Sequence, residues 1–220
     1  MTTLDPTALR LDDSAAEAAV AATTIEARLD IAPAFKLLLA ADARGIFQVM
    51  REAGHLPPFW AFAWPGGQVL ARYILDNPAL VAGRSVLDIG AGSGVIALAA
   101  AHAGARRVIA SDIDPLSVAA IRLNARLNGF DIEVTDADLL DGDAGVDVVL
   151  AGDVCYESPL TERVEAFFAR ARKAGAEALV ADRSRMPASA AFRRLVEYDT
   201  VVAPPLQYDY VEPATVWQAH

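Results

Sequence analysis

Three glycines at alternate positions, Gly90, Gly92 and Gly94, sit inside VLDIGAGSGVIALAAA, between a branched apolar run and a run of alanines. Glycine at this spacing lets a backbone approach a ligand closely where a strand turns into a helix. A dinucleotide loop of the G-x-G-x-x-G type also needs glycine or alanine at its sixth position for tight helix packing. Counted from Gly90 that position is Val95, which weakens a nicotinamide reading. Acids are present instead: Asp88, two residues before the first glycine, gives D-x-G-x-G-x-G, and Asp112 ends the next apolar run. Asp138 follows in TDADLL, and AGDVCYESP carries Asp153 and Tyr156 as D-x-x-Y. A carboxylate can accept a hydrogen bond from an amine, and an aromatic face three residues on can meet a cation. Trp60 and Trp64 precede Pro65-Gly66-Gly67 and can wall such a site, Gly66 allowing a further close backbone approach.

Each of these residues has a plainer alternative. The glycines can form a tight turn alone, Asp138 can be a turn former, and Asp153 can cap a helix starting near Pro159. Trp60 can equally be core, and Asn128-Gly129 reads as a helix C-cap. Cys155 is the only cysteine, so no internal disulfide or multi-cysteine metal site is possible, and it reads as a small buried filler. His55, His102 and His220 are scattered without ligand spacing, so no metal is expected.

Positioning these groups requires a sheet. From Arg84 onward, short branched-apolar runs (SVLDI, RVIAS, IEVTD, VDVVLA, EALVAD) alternate with helical ones (GVIALAAAHA, PLSVAAIRLNARLN, LTERVEAFFARAR). Near-continuous apolar strands separated by helices predict an α/β, doubly wound, mostly parallel sheet, with the glycine loop and the acids at strand carboxyl ends. AAFRRLVEYDTVVAPP and EPATVWQAH predict a last helix followed by two strands pairing as an antiparallel edge, seven strands in all. Upstream, a helix is expected near Ala15 to Ala22, then an extended TTIEARL, then helical stretches at Phe35 to Ala40 and Ile46 to Glu52. Pro57, Pro58, Pro65, Gly66 and Gly67 are expected to break regular structure ahead of a helix from Gln68 to Asp76.

With 220 residues and 54% apolar composition, the chain can bury a full core as one domain with a modest extension. The apolar runs are too short to span a bilayer. The acidic N-terminal sequence has neither a secretory nor a mitochondrial targeting layout, so a soluble, cytoplasmic protein is expected, without a membrane partner. A net charge of -10 argues against a nucleic-acid partner held through phosphates and would favour a cationic one, such as a lysine-bearing protein segment.

The acid-flanked glycine loop and Asp112 resemble the class I methyltransferases that use S-adenosylmethionine. That resemblance implies a Rossmann-like seven-strand fold, Asp112 on the ribose hydroxyls, Ile113 against adenine, Asp138 on the adenine amino group and Asp88 near the methionine ammonium. Nucleic-acid amino methyltransferases of this fold carry Asn or Asp followed by two prolines and an aromatic after the fourth strand; D-x-x-Y instead resembles the seven-strand lysine methyltransferases. PPFWAFAWPGGQVLARYILDNP, SVLDIGAGSG, ASDIDP, AGDVCYE and TVW together resemble the electron transfer flavoprotein beta-subunit lysine methyltransferases. The implied division is an N-terminal cap over 1–60 and a methyltransferase domain over 61–220. The implied catalytic residues are Asp153 and Tyr156, with Trp64, Gly66, Asp88, Gly90, Gly92, Gly94, Asp112, Ile113 and Asp138 toward the cofactor. The implied acceptor is that flavoprotein subunit. A ribosomal protein, which the related ribosomal protein lysine methyltransferases imply, and a small-molecule amine are the alternatives; a non-enzymatic binding module would retain the fold without the chemistry.

Overall fold

The computed structural model describes residues 12–183, 191–201 and 211–220. A seven-stranded sheet forms its centre. Strands β3 (Ser85–Ile89), β4 (Arg107–Ser111), β5 (Glu133–Thr135), β6 (Val148–Gly152) and β7 (Glu177–Arg183) run parallel, and β8 (Phe192–Val201) and β9 (Val211–Ala219) add an antiparallel edge, in the order β5-β4-β3-β6-β7-β9-β8. β1 (Thr24–Leu29) and β2 (Ala32–Ala40) form a separate antiparallel pair. The chain leaves β3 for β4 and β5 on one side and returns to β6 on the other. A crevice therefore opens at the carboxyl end of β3, where consecutive connections diverge.

The sequence explains the layering. β3 is buried along its whole length, with Val86, Leu87 and Ile89 apolar on both faces, so helices must cover both sides. Helices α3 (Pro65–Asp76) and α4 (Val95–His102) share one core with Val86, Val148 and Leu150, while α6 (Ser158–Lys173) sets Phe167 and Phe168 into a second core with Leu87 and Val149. Asp114 caps α5 (Pro115–Asn128) by accepting from the Leu116 N–H at 3.0 Å, and Gly129 ends that helix in the left-handed region.

The N-terminal part holds α1 (Asp13–Thr23) and α2 (Ala43–Glu52), each capped by a preceding aspartate. Phe35 to Ala40 is not the helix its apolar run suggests but the greater part of β2. Phe35, Leu37 and Leu39 alternate onto the buried face, and they join the core that contains Val86. Asn128 and Asn124 on α5 accept from the Lys36 and Leu38 N–H groups at 2.8 and 2.7 Å, so side-chain amides supply the partners that another strand would give. No local period signals that pairing, which spans roughly ninety residues.

Two further expectations are corrected. Pro65, Gly66 and Gly67 do not break structure; they are the first turn of α3, where proline's fixed φ suits N1 and its missing N–H is no loss. The FRRLVE run, where a last helix is expected ahead of the two edge strands, is instead the first part of β8. Pairing with β9 overrides the helical preference of FRRLVE, and a bulge between Arg194 and Val196 absorbs the misfit. The remainder of that segment, 184–190 and 202–210, lies outside the described residues.

Candidate active site

A cavity of about 500 Å³ lies at the carboxyl ends of β3, β4, β6 and β7. Gly90, Gly92, Asp112, Ile113, Asp138, Asp153, Tyr156 and Trp64 all line it, which brings together eight residues spread from 64 to 156. Asp88, Gly94 and Gly66 stand behind this wall. Asp88 is wholly buried, accepts from the Ala97 N–H at 3.1 Å through Oδ2, and keeps an Oδ1 with no hydrogen-bond partner among the described residues. Burial pushes its carboxyl well above the usual range. Gly94 caps α4 and packs against Ile121.

The glycine loop is set by Asp112. Its Oδ2 accepts from the Gly92 N–H at 2.8 Å and its Oδ1 from the Asp114 N–H at 3.0 Å, so one carboxylate ties the ends of β3 and β4 together. Gly92 has φ of 54°, with open cavity space where a Cβ would stand; its backbone conformation is one that favours glycine. Burial raises the Asp112 carboxyl and lifts Asp114 to about 6. Ile113 is 65% exposed, an apolar side chain on a cavity wall with nothing covering it among the described residues. Asp138 takes the turn-forming role as well as its place in the lining: it accepts from the Leu140 N–H at 3.2 Å and from Arg163 at 2.9 Å.

Asp153 is the one non-glycine residue among those described with positive φ, at 55°. Aspartate tolerates this region better than most residues, and the conformation is held from both sides. Its N–H donates to the Ala181 carbonyl at 2.9 Å, and its Oδ2 accepts from the Gly67 N–H at 3.0 Å. The carboxylate therefore caps α3, not α6; Glu157 stands at the N-cap of α6 without a side-chain bond. Here Gly66 finds its physical reason. A Cβ there would lie 2.3 Å from the Ala181 oxygen and 2.7 Å from Asp153 Oδ2, so only glycine lets the helix end reach the carboxylate. Oδ1 of Asp153 is buried without a hydrogen-bond partner among the described residues. Burial first, and then the neighbouring Asp182, push its carboxyl up to about 7 against the opposing pull of the Gly67 N–H and Arg183.

Aromatic groups line the mouth. Trp64 donates its indole N–H to the Phe59 carbonyl at 2.9 Å, and the Arg183 guanidinium lies 5.7 Å from its ring centroid. Phe59 contacts Trp64 edge-on at 5.9 Å and Tyr156 at 6.4 Å. Trp60, by contrast, is fully buried in the core under α1 and α5. Cys155 is buried as a filler, its thiol pushed up to about 12 chiefly by desolvation.

Sequence reasoning missed Leu56, Phe59, Asp182 and Arg183. The last two end EALVADR, and the rule that ligands lie at strand carboxyl ends points to them. Phe59 carried no signal beyond the aromatic density of PPFWAFAW.

Comparison with solved structures places this architecture. The chain superposes on a Thermus thermophilus 16S rRNA N2 G1207 methyltransferase with a TM-score of 0.58 at 20% identity, covering 90% of this chain and 50% of that one. It superposes on a Pyrococcus horikoshii protein described as a putative RNA methyltransferase at 0.55 and 16% identity, covering 80% and 98%. Residues 70–177 match the family model of ribosomal protein L11 methyltransferase. These likenesses show the fold of the class I methyltransferases. Among curated proteins, the human electron transfer flavoprotein beta subunit lysine methyltransferase is 48% identical over 111 residues, 49% of this chain and 42% of that protein. The Xenopus laevis counterpart is 39% identical over 131 residues, 58% of this chain and 53% of that protein. This chain thus spans about half the length of the curated relatives it matches.

Proposed function

We propose that this chain transfers methyl groups from S-adenosylmethionine to a lysine side chain of a protein, the electron transfer flavoprotein beta subunit. The observation that carries the reading is Asp153, whose buried Oδ1 has no partner among the described residues, on the wall of a cavity whose Tyr156 is half exposed. A small-molecule amine would call for a lid over Tyr156, and none of the described residues provides one. The curated relatives support the acceptor. The acidic, single-cysteine chain suits a cytoplasmic, reducing setting.

The residues present fit the cofactor. Each Asp112 oxygen accepts one backbone N–H and retains a lone pair, which suits it to grip two ribose hydroxyls. Ile113 offers an uncovered apolar face suited to adenine, Asp138 lines the wall as an acceptor suited to an amino group, and Gly90 and Gly92 bring backbone to the cavity wall, with Gly94 behind them at the start of α4. Asp88, beneath them, brings an orphan acceptor, and Trp64 walls the mouth side. Gly66 contributes through Asp153. When bound, S-adenosylmethionine supplies an electrophilic methyl on a sulfonium.

What the chain's own residues must do is prepare the amine. At neutral pH a lysine is overwhelmingly charged, a handicap of roughly 4 to 5 kcal/mol. Asp153 accepts a hydrogen bond from the incoming amine and fixes the direction of its lone pair, while the Tyr156 ring faces the cationic head. Beside an ammonium the raised Asp153 carboxyl would ionise and favour the charged amine, so the amine's proton leaves to solvent before its lone pair is aligned.

Purified flavoprotein subunit and ribosomal protein L11 are to be incubated separately with this protein and the cofactor, and mass gain mapped to individual lysines. Methylation of the flavoprotein subunit is expected. Transfer only to L11, or only to small amines, would replace the acceptor.

A further inference from the structure

The cavity mouth is built in two zones. Toward solvent stand Leu56, Phe59 and Tyr156, which are 40%, 46% and 50% exposed, an unusual concentration of large apolar side chains around one opening. Deeper are Asp153 and Asp182, both buried carboxyl groups. Over its whole lining the cavity carries the acids Asp112, Asp114, Asp138, Asp153 and Asp182 against the two arginines 163 and 183. Arg163 is engaged by Asp138 and Asp141, and Arg183 stacks on Trp64. Apolar outside and anionic inside is the complement of a side chain with a long alkyl stem and a cationic tip.

Phe59 is presented rigidly. Pro57 and Pro58 lead into a one-turn 3₁₀ helix, Phe59–Ala61, whose second residue, Trp60, is sunk in the core. The Phe59 N–H donates to the Pro57 carbonyl at 2.7 Å, and its own carbonyl receives the Trp64 indole N–H. Its ring lies between those of Trp64 and Tyr156. Such a ring is preorganised, so docking against it orders little that was free. Leu56 and Phe59 precede residues 70–177, so they lie outside the segment matched by the ribosomal protein L11 methyltransferase model.

We propose that Leu56, Phe59 and Tyr156 form an apolar collar that takes the alkyl stem of a protein-borne lysine and the apolar residue beside it, with Phe59 as the specificity-determining element. The proposal rests on the lysine reading above. The acidic interior and the net charge of -10 select against a phosphate-bearing strand, although aromatic collars also suit nucleobases.

The test uses the full chain with the flavoprotein subunit, with free lysine, and with an RNA oligonucleotide as acceptors, in wild type, Phe59→Ala and Phe59→Leu. Phe59→Ala is expected to raise KM for the protein acceptor on the order of tenfold while leaving the calorimetric affinity for S-adenosylmethionine unchanged. Phe59→Leu should recover most of the loss, because bulk and apolarity are what the stem requires. Activity on free lysine should fall far less than activity on the protein. An unchanged protein KM in Phe59→Ala sinks the collar while the lysine reading stands, and an equal loss of cofactor affinity would make Phe59 a cofactor wall instead. Wild type that is inert on the subunit but methylates the RNA overturns both.

Discussion

Replacing Asp153 by Asn separates charge from shape at the centre of the site. Asparagine keeps the oxygen that accepts from the Gly67 N–H, and it tolerates the left-handed φ of 55° as well as aspartate does, so local geometry is preserved. What disappears is the ionisation. The folded carboxyl titrates at about 7, whereas the free side chain has its ordinary value of 3.8. A folded-state pKa above the unfolded one means that the native protein binds the proton more tightly. Its stabilising effect is complete below pH 4 and is lost as pH rises through 7. At about 1.4 kcal/mol per unit, the wild type forfeits on the order of 4 kcal/mol across that interval. Neutral Asn does not.

Urea unfolding of the cofactor-free protein from pH 5 to pH 8.5 is the assay. Between pH 5 and pH 8 the wild type should lose about 2 to 3 kcal/mol relative to the variant, since roughly two of the three units between the unfolded and folded values lie above pH 5. Turnover should move the other way. The Asn amide places a donor where the amine also brings donors, so kcat is expected to drop on the order of a hundredfold at undiminished cofactor affinity. A stability difference that stays flat with pH, or a variant less stable at pH 8, would refute the claim that a costly buried carboxylate is held here for function.

Other outcomes follow from the same geometry. Asp112→Ala should weaken S-adenosylmethionine binding by about a hundredfold, read by calorimetry, because two charge-assisted hydrogen bonds and the tie to Gly92 go together. Trp60→Ala, emptying a fully buried position, should cost about 3 to 5 kcal/mol in urea unfolding, whereas Trp64→Ala should cost less stability and more activity. Cys155 should resist a thiol reagent at pH 8 in the native protein and react at once in denaturant, because burial lifts its thiol to about 12. Asp138→Ala should loosen cofactor affinity only severalfold, since Arg163 and the Leu140 N–H already hold that carboxylate; a loss as large as that of Asp112→Ala would make it a full partner of the ligand.

The alternation of apolar strand and helix from Arg84 to Asp182 was legible because strands buried on both faces leave an unbroken hydrophobic signature. The glycine loop was legible too, since left-handed backbone admits few other residues. Phe35 to Ala40 and the FRRLVE run of β8 differ from expectation for a common reason: their hydrogen-bond partners are remote, Asn124 and Asn128 for one and β9 for the other. A helix carries its bonds within itself, but a strand's identity is decided by whatever lies alongside it.

Sequence by itself determined that the centre of the sheet is parallel, from the alternation of apolar strands and helices, and the acid-flanked glycine loop and the D-x-x-Y pair, from spacing within one segment. Only the tertiary structure decided that Trp-Pro-Gly-Gly and D-x-x-Y are one device. The first turn of α3 and the end of β6 are 86 residues apart, and it is their 3.0 Å contact that holds Asp153, fills its Oδ2 and requires Gly66. The tertiary structure likewise sank Trp60 into the core while lifting Phe59 to the mouth. Which of two adjacent aromatics is buried depends on the packing of α1 and α5 against that turn, a long-range contact that composition and period do not record.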